Sequence, residues 1–356
     1  VELILNKKAE KLDIKKKQVI LSDKKIIPFD KLLIATGGIP FIPEIENKDL
    51  YGVFTFTKWK DAEELSRYIE KNRIKEAVVL GGGLIGLKAT EALMELKIRV
   101  TIIELAERIL SATFDKKASD IIEKALEKED CQVITNNTIN RIKNEKLKIK
   151  SVVLKDKKEI DCDLLILAIG VNPNIELVKD TPIKVDKGIL VNEFMQTNVE
   201  GIYASGDCCE IKDLLLNKNR PIAIWPNASR QGKISGYNMT GIKKEYEGSF
   251  AMNSVELCGI PTISVGITSL KEEGFEIIDY FDEKKLIYKK VVLKDNKILG
   301  AIFINDIERA GIYTGLIKDR VNVKSFKEHL LKEDFGLISL PKEYRKHLVS
   351  GLGIEV

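Results

Sequence analysis

The sequence predicts an α/β protein with two related modules of strands and helices, followed by a C-terminal α+β domain. Three observations predict this fold class. A stretch of more than twenty residues recurs at a constant offset, a glycine-rich turn joins an apolar run to a helical spacing, and consecutive strand patterns begin after Gly248. Because strand, helix and strand in succession favour a parallel sheet, we expect duplicated parallel sheets and one separate domain.

The composition limits the classes of protein to which the chain can belong. Of its 356 residues, 44% are hydrophobic and 31% charged, which excludes a disordered or fibrous chain. A net charge of +4 and an aromatic content of 6% do not favour nucleic-acid binding. No apolar stretch is as long as a membrane span, so no membrane is expected. Five cysteines without regular spacing favour reduced thiols and a cytoplasmic location.

The repeat relates residues 19–40 to residues 152–173. Each copy contains a hairpin pattern with an Asp-Lys-Lys turn and then a continuous apolar run, which is typical of a strand covered on both faces. Each run leads to a glycine, Gly37 or Gly170, where the chain can turn sharply and a ligand can approach the backbone. The agreement without gaps favours two related modules over two unrelated hairpins.

The glycine-rich turn lies between the two copies of the repeat. Gly81, Gly83 and Gly86 form the pattern G-x-G-x-x-G after a short strand pattern and before a helical one. In such a turn the first glycine permits the bend, the second lets a pyrophosphate reach the backbone, and the third lets helix and strand pack closely. The N–H groups of the helix N-terminus, around Leu84 and Ile85, would bind the phosphates.

An acidic residue follows the next predicted strand, which covers residues 99–103. Glu104 lies 23 residues after Gly81, where a carboxylate can accept hydrogen bonds from the adenine ribose hydroxyls of a dinucleotide. The same carboxylate would repel the additional phosphate of NADP, so we expect NADH as the ligand. Arg108 could bind such a phosphate instead, although an exposed ion pair is its more ordinary role.

The first copy of the repeat has no corresponding glycine turn in this sequence. At the same offset the turn would lie before Val1, and the chain opens with a strand-like run over residues 1–5. We therefore expect that the first module lacks its opening strand, glycine turn and helix.

Residues 197–207 carry a further motif, Thr-x-x-x-x-Ile-Tyr-Ala-x-Gly-Asp. Together with Ala-Thr-Gly at 35–37 and the turn at 81–86, it resembles the two-dinucleotide-binding-domain flavoprotein reductases, the FAD/NAD(P)-dependent pyridine-nucleotide oxidoreductases. The resemblance covers nearly the whole chain. Residues 300–317 are similar to the C-terminal domain of the branch that contains rubredoxin reductase and the nitrite reductase large subunit.

The resemblance implies two Rossmann-like dinucleotide-binding domains, with the NAD domain inserted in the FAD domain, plus the C-terminal α+β domain. The FAD domain would comprise residues 1–41 and 171–245 and would be incomplete at its N-terminus. The NAD domain would comprise residues 42–170, and the C-terminal domain residues 246–356. FAD and NAD are the cofactors that this resemblance implies.

The resemblance also implies which residues contact each cofactor. Asp207 would bind the ribityl chain of FAD, and the segment that begins at Trp225 would face the isoalloxazine ring, although Trp225 could equally be a core or interface residue. The residues expected at FAD are Thr36, Gly37, Asp207, Trp225, Asn227 and Ala228. The residues expected at NAD are Gly81, Gly83, Leu84, Ile85, Gly86, Glu104 and Gly170.

One position departs from the family's pattern. The family usually has Gly-x-Glu after the turn, and that Glu helps to order the nicotinamide, whereas this chain has Gly86-Leu87-Lys88. An ammonium in place of the carboxylate puts the usual nicotinamide contact in doubt, and Lys88 could be a solvated helix residue instead.

The histidines and cysteines suggest no catalytic residue, so the catalytic residues are unknown at this stage. His329 and His347 lie in lysine-rich stretches that we expect to be solvated, which disfavours the His–Glu chemistry of disulfide reductases. Cys208 and Cys209 have no further ligands nearby and are more ordinary as buried thiols than as a disulfide or metal site. No metal is predicted. The remaining cysteines are expected in the core: Cys131, Cys162 and Cys258.

Periodicity predicts the remaining elements. Amphipathic helices are expected over residues 59–72 and 116–129. The strands expected in the C-terminal domain cover residues 254–267, 275–280, 285–294 and 298–305.

Three functions are open at this stage. The favoured one is an FAD-dependent NADH oxidoreductase that passes electrons to a small redox protein such as rubredoxin, an acidic carrier that a slight basic excess would favour. The second is an NADH oxidase or CoA-disulfide reductase with a redox cysteine upstream of Val1. The third is not an enzyme but a truncated NADH-binding subunit. The sequence does not indicate an oligomeric state.

Overall fold

The computed structural model describes residues 1–269, 274–342 and 345. The chain divides into two units, one formed by Val1–Phe41 and Val171–Ala251, the other by Ile42–Gly170 and Met252–Val356. None of the described helices is both long and apolar enough to span a membrane.

The described residues form strands throughout the chain and five α-helices. In chain order the strands are β1 (Ala9–Asp13), β2 (Gln18–Leu21), β3 (Ile26–Pro28), β4 (Leu32–Ile34), β5 (Gly38–Pro40), β6 (Val53–Thr55), β7 (Glu76–Leu80), β8 (Arg99–Ile103), β9 (Gln132–Ile134), β10 (Ile139–Glu145), β11 (Lys148–Leu154), β12 (Glu159–Asp161), β13 (Leu164–Leu167), β14 (Val171–Pro173), β15 (Ile189–Leu190), β16 (Ile202–Ala204), β17 (Cys209–Asp213), β18 (Lys218–Arg220), β19 (Met252–Leu257), β20 (Ile260–Gly266), β21 (Glu276–Asp282), β22 (Ile287–Lys294) and β23 (Lys297–Ile304). The helices are α1 (Trp59–Lys71), α2 (Leu84–Glu95), α3 (Lys116–Lys128), α4 (Trp225–Met239) and α5 (Ala310–Lys318).

The repeat predicted from the sequence is present in the secondary structure. At the offset of 133 residues, β3 falls on β12, β4 falls within β13, and β5 falls on β14. The two polar turns each connect antiparallel strands, β2 with β3 and β11 with β12. The predicted duplication is therefore confirmed at the level of the elements.

A five-stranded parallel sheet, in the order β6-β13-β7-β8-β9, organises the region of residues 42–170. The central strands β13 and β7 are buried along almost their whole length because both faces of the sheet are covered. Ala77 and Val79 of β7 face one core, which contains residues of α2 and α3, while Val78 and Leu80 face the other, which contains residues of β10–β12. The helices α1 and α3 end one residue before their predicted ends.

An antiparallel sheet, in the order β19-β20-β23-β22-β21, organises the C-terminal region, and α5 packs on it. The prediction of a single strand over residues 254–267 is wrong. Cys258 and Gly259 both have positive φ, +50° and +71°, and form a turn between β19 and β20. Cys258 is consequently half-buried at a turn, which also corrects its expected place in the core.

A buried ionic cluster joins the C-terminal region to the parallel-sheet region. Asp115 caps α3 by accepting a hydrogen bond from the N–H of Ala118, and its Oδ2 accepts from Tyr288 Oη at 2.7 Å and Lys290 Nζ at 2.8 Å. Burial by itself would raise the pKa of Asp115, but the hydrogen bonds from Lys290, Ala118 and Tyr288 outweigh it and lower the pKa. The cluster thus holds an ionised carboxylate in a mostly buried place.

The first unit is built from short sheets around one apolar core. Its sheets are β1-β2-β3, β4-β16, β5-β14 and β15-β17-β18, and the core contains Ile34, Met195 and Ile202. The expected strand over residues 1–5 is wrong, because these residues form no strand and are exposed.

Candidate functional site

The glycine turn lies at the carboxyl end of β7 and has the local geometry that its sequence predicts. Gly81 has φ +114°, and a Cβ at that position would overlap the carbonyl of Ala168, which follows the neighbouring strand β13. A Cβ at Gly86 would overlap the carbonyl oxygen of Gly81, so the first turn of α2 packs directly on the turn. Both positions therefore require glycine.

The space in front of the N-terminus of α2 is open. Gly83 is the N-cap residue, no side chain caps the helix, and nothing lies within 4 Å of the place where a Gly83 Cβ would be. Leu84 is half-buried and Ile85 is 36% exposed. Because the first N–H groups of an α-helix have no acceptor within the helix, this end can bind a phosphate group that approaches over Gly83.

Glu104 is fixed beside this space by two backbone hydrogen bonds. Its Oε2 accepts from Gly82 N–H at 2.6 Å and its Oε1 accepts from Ala106 N–H at 2.8 Å. Each carboxylate oxygen retains a lone pair that can accept from a hydroxyl group. The carboxylate is thus held in position to bind a ribose diol next to the phosphate site.

Arg108 does not have the exposed ion pair that the sequence favours. It pairs with Glu107, but its side chain is only 16% exposed, and its guanidinium also lies 3.5 Å from the Phe114 carbonyl. Arg108 Nε is buried and has no hydrogen-bond partner among the described residues, so the pair with Glu107 leaves part of the guanidinium unsatisfied.

Gly170 lies at the same edge of the sheet as the glycine turn. It follows β13 by three residues and is exposed, with open space where its Cβ would lie. The carboxyl ends of β7, β8 and β13 lead to Gly81, Glu104 and Gly170, respectively. The structure therefore brings the seven residues expected at NAD to one edge of the parallel sheet, where ligands bind in open α/β sheets.

Lys88 is exposed, as expected, but it is not free. Its Nζ lies 2.5 Å from Glu91 Oε2 and donates to the Glu256 carbonyl at 3.2 Å. Glu91 Oε1 accepts from the N–H of Cys258. The ammonium that replaces the family's carboxylate is thus part of a contact between α2 and the β19–β20 hairpin.

Asp207 presents a carboxylate without a protein partner at the end of β16. Within the described ranges no side chain or N–H donates to it, and burial raises its pKa. The preceding Gly206 donates its N–H to Gln231 Oε1 at 2.7 Å, which fixes the loop to α4. A partly buried acceptor with no partner suits a polyol, whose hydroxyl groups can donate to it.

Thr36 and Gly37 follow β4, which pairs with β16 in parallel, so the two strands direct residues 35–37 and 205–207 to the same edge. Thr36 Oγ1 donates to the Asn174 carbonyl at 2.6 Å, and Gly37 has open space at its Cβ position. The structure thus places Thr36 and Gly37 near Asp207, but the hydroxyl proton of Thr36 is already bound by the protein.

The N-terminus of α4 adjoins the same loop. Trp225 is 83% exposed, so it is not a core residue, whereas Asn227 is buried and donates from Nδ2 to the Ile222 carbonyl at 3.2 Å. The Cβ of Ala228 lies 3.7 Å from the place where a Cβ on Gly206 would be. Ala228 thus lies beside the loop that carries Asp207, and the Trp225 ring is accessible to a ligand or a partner.

The cysteines of this unit are buried in the loop after Asp207 and contact its neighbours. Cys208 Sγ lies 3.3 Å from the Ser205 carbonyl, and Cys209 Sγ lies 3.4 Å from Gln231 Oε1. Both thiols are buried and free, and burial raises the pKa of each. The prediction of buried structural thiols at these two positions is confirmed.

The remaining cysteines are free thiols, and the structure describes one of the two histidines. Burial raises the pKa of Cys131 and of Cys162 to about 12, and that of Cys258 to about 11. His329 is exposed in a 3-10 helix, and His347 lies outside the described residues. In the described part of the chain no group of three His, Cys, Asp or Glu residues could hold a metal ion.

Two residues of the site were not singled out from the sequence. Gln231 binds the Gly206 N–H across 25 residues, and Asn174 binds Thr36 across 138 residues. Gln231 lies in the segment after Trp225 that carries the resemblance, and Asn174 directly follows the end of the repeat. These positions in the sequence do not indicate which residue Gln231 or Asn174 contacts.

Comparisons with known proteins agree with this geometry. Residues 1–232 match the model of the pyridine nucleotide-disulphide oxidoreductase family, and residues 252–321 match that of the rubredoxin NAD+ reductase C-terminal domain. The chain is 32% identical to a nitrite reductase [NAD(P)H] of Bacillus subtilis, over 91% of this chain and 39% of that protein. It is 38% identical to an NADH oxidase of Methanocaldococcus jannaschii, over 61% of this chain and 48% of that protein.

A solved structure has the same fold. The NAD-dependent persulfide reductase from A. fulgidus superimposes with a TM-score of 0.84 at 26% identity, over 90% of this chain and 63% of that one. The chain thus spans between 39 and 63% of the length of these three proteins. Both the family and the fold class predicted from the sequence are confirmed, two dinucleotide-binding modules with a C-terminal α+β region.

Proposed function

We propose that this chain, which belongs to the pyridine nucleotide-disulphide oxidoreductase family, is an FAD-dependent oxidoreductase that takes electrons from NADH and passes them to a small redox protein. The observation that supports this most is the open N-terminus of α2 with Glu104 fixed beside it. It provides N–H donors for a pyrophosphate and an acceptor for a ribose diol at one sheet edge.

The residues present fit both cofactors. Gly81, Gly83 and Gly86 leave room for a pyrophosphate against the backbone, and Glu104 would bind the adenine ribose of NADH. The unpartnered Asp207 carboxylate would bind the hydroxyl groups of the FAD ribityl chain. When bound, the cofactors supply the hydride donor and the hydride acceptor, and the protein contributes alignment and the exclusion of water.

NADH is the proposed donor in preference to NADPH. Glu104 is held by Gly82 and Ala106 and cannot withdraw from an additional ribose phosphate, which would therefore meet a fixed negative charge. Arg108 offsets this repulsion only in part, because its guanidinium is already paired with Glu107.

A small one-electron carrier such as rubredoxin is the proposed acceptor. The match of residues 252–321 to the rubredoxin NAD+ reductase C-terminal domain supports it. A second candidate is an NADH oxidase or a reductase of CoA disulfides, which the NADH oxidase and persulfide reductase relatives favour. The buried, raised-pKa thiols of Cys208 and Cys209 do not supply a nucleophile for the disulfide reaction.

Anaerobic titration of the FAD-loaded chain with NADH tests the proposal. We expect the flavin absorbance to bleach with NADH and to bleach far less with NADPH. Rubredoxin, oxygen and CoA disulfide are then added separately, and reoxidation by rubredoxin alone supports the proposed acceptor. A chain that binds NADH but holds no reducible flavin would instead be an NADH-binding subunit.

Gly83→Ala sharpens the test because its Cβ enters open space in front of α2 and should not disturb the fold. Gly311→Ala is the matched control, since a Cβ at Gly311 also has nothing within 4 Å and lies in α5. We expect only Gly83→Ala to weaken NADH binding.

A further inference from the structure

Residues 109–115, called the covering turn below, lie directly against the glycine turn. Leu110 N–H donates to the Gly82 carbonyl at 2.8 Å, and a Cβ at Gly82 would lie 2.8 Å from Ile109 Cγ2. Since Gly82 N–H donates to Glu104 Oε2 at 2.6 Å, both polar groups of the Gly82 backbone are held. The covering turn and Glu104 together fix the direction of the peptide groups that lead into α2.

The covering turn has a backbone conformation that its sequence does not favour. Leu110 has φ +55° although it is not a glycine, and it is buried. Such a conformation is costly for a residue with a side chain and persists only where the surrounding contacts impose it. The Leu110 carbonyl accepts from Thr113 N–H at 2.9 Å, Thr113 Oγ1 at 3.1 Å and Phe114 N–H at 2.9 Å. A displacement of Thr113 would therefore reach Leu110 and, through the Leu110 N–H, Gly82.

Two residues of the C-terminal region hold the far end of the covering turn. Thr268 Oγ1 donates to the Thr113 carbonyl at 2.8 Å. Lys290 Nζ donates to Asp115 Oδ2 at 2.8 Å and lies 3.5 Å from the Thr268 carbonyl. Thr268 and Lys290 are both buried, so water has little access to these contacts. The position of Thr113 thus depends on a hydroxyl group that lies 155 residues later in the chain.

A close backbone approach brings Thr268 to this place. The strand β20 ends at Gly266, which has φ +68°, and Ile267 N–H donates to the Leu299 carbonyl at 2.9 Å. A Cβ at Gly300 would lie 1.9 Å from the Ile267 carbonyl oxygen, so only glycine lets the chain pass over β23 here. Thr268 is the next residue, and the crossing places it within reach of the covering turn.

We infer that Thr268 is a positioning residue for nucleotide binding, which acts through Thr113 and the covering turn on Gly82. The inference rests on the binding of NADH in the proposed function, and every residue that carries it lies in the second unit. The N–H groups at the N-terminus of α2 bind a phosphate well only if their directions are fixed beforehand. Loss of the Thr268 hydroxyl group should therefore weaken NADH binding by loosening the covering turn.

The first test measures the covering turn itself and needs no nucleotide. Hydrogen–deuterium exchange of residues 109–115 is followed by mass spectrometry in the chain and in Thr268→Val, which keeps the shape of the side chain but loses the hydroxyl group. We expect exchange about fivefold faster in the variant, as for the loss of one hydrogen bond. Thr268→Ser should restore slow exchange, and Thr268→Ala is a second variant if Thr268→Val does not fold.

Thr262→Val is the matched control. Thr262 Oγ1 donates to the Val255 carbonyl at 2.7 Å, and Thr262 is buried in β20 of the same sheet. The bond is of the same kind, but both of its partners lie outside the covering turn. Its loss should lower the stability of the sheet to a similar extent and leave both the exchange of residues 109–115 and the NADH affinity unchanged.

The second test measures the dissociation constant of NADH by fluorescence titration. We expect Thr268→Val to raise it about threefold, Thr268→Ser to restore it and Thr262→Val to leave it unchanged. Unchanged exchange of residues 109–115 in Thr268→Val would overturn the inference, as would an unchanged dissociation constant or equal effects of the two valine variants. If the unaltered chain does not bind NADH, the proposed function fails, while the exchange result still decides whether Thr268 holds the covering turn.

Discussion

The two copies of the repeat have the same elements but different neighbours. In the second copy β13 lies between β6 and β7 and is fully buried, and β7 leads into the glycine turn. In the first copy β4 pairs with β16, no other described strand pairs with it, and Leu32 and Leu33 are only half-buried. The repeated strand is thus common to both copies. The copies differ in whether a neighbouring described strand leads into a glycine turn and a helix.

The largest expected effect comes from a substitution in the glycine turn between β7 and α2 of the second copy. Gly86→Ala would place a Cβ against the Gly81 carbonyl and push α2 away from β7, which should cost about 2–3 kcal/mol of unfolding free energy. NADH affinity should fall by about 100-fold or more, because the N–H groups no longer meet the phosphates. Thermal unfolding and fluorescence titration with NADH measure both, and Gly311→Ala is the control. Unchanged affinity would contradict the assigned turn.

The next effect tests whether the second copy depends on the buried ionic cluster of Asp115, Tyr288 and Lys290, called the C-terminal brace below. Lys290→Met leaves the Asp115 carboxylate buried without its cation, which should lower the unfolding free energy by about 3 kcal/mol at pH 7. Because the pKa of Asp115 is lowered in the fold, its contribution is present above the ordinary value of 3.8 and is lost as the pH falls below it. Urea denaturation at pH 7 and pH 3 measures the unfolding free energies of the unaltered chain and of Lys290→Met. The difference between them should be smaller at pH 3 than at pH 7.

The control for the brace is an exposed lysine of the same sheet. Lys297→Met should change stability little. The double variant Asp115→Asn with Lys290→Met should recover part of the loss, since it removes the unpaired charge. Equal losses for Lys290→Met and Lys297→Met would show that the buried pair is not a brace.

A smaller effect is expected at Glu104, the proposed contact of the adenine ribose in the second copy. Glu104→Ala removes the acceptor beside the glycine turn, and NADH affinity should fall about 30-fold, or about 2 kcal/mol. NADPH should lose much less affinity, because repulsion of its additional phosphate disappears as well. Dissociation constants for both nucleotides test this, with the exposed Glu95→Ala as control. An equal loss for both nucleotides would mean that Glu104 acts only by holding the turn.

The smallest effect concerns the first copy. Burial raises the pKa of Asp207, so in the FAD-free chain the charged carboxylate opposes folding as the pH rises above its ordinary value of 3.8. Asp207→Asn should therefore raise the unfolding free energy at pH 7, by about 1 kcal/mol or less, and change little near pH 3. Thermal unfolding at the two pH values measures the difference. Destabilisation at pH 7 would mean that the carboxylate already has a partner.

Local pattern predicted the parts of the molecule that depend on near neighbours in sequence. The bounds of β7 and β8, the two hairpins and the repeat follow from apolar runs and turn residues. Residues 254–267 were mistaken for one strand because Cys258 and Gly259 interrupt an apolar pattern without a strong turn signal. A half-buried cysteine with positive φ is unusual, and its N–H is held by Glu91, 167 residues earlier.

The site was predictable as a list of residues but not as a set of contacts. A Cβ at Gly86 would meet the Gly81 carbonyl, an atom of the turn itself, whereas a Cβ at Gly81 would meet the carbonyl of Ala168 after β13. The partners of Thr36 and Lys88 follow from distant chain segments, and no periodicity encodes them. Whether the residues at the two sites touch cofactors, and whether the domain boundaries follow the implied cofactor domains, stay predictions.

The strands β5 and β14, which correspond at the repeat offset, pair with each other in a symmetric register. Exchanging the two copies maps the central pair, Ile39 with Asn172, onto itself and interchanges the two outer pairs, Gly38 with Pro173 and Pro40 with Val171. That is the form of an isologous contact, in which one patch binds the same patch of an identical molecule across a two-fold axis. Tandem fusion of a duplicated gene would keep such a contact within one polypeptide, where tethering replaces dependence on concentration. The pair of β5 and β14 thus has the symmetry that a contact between two identical modules would have.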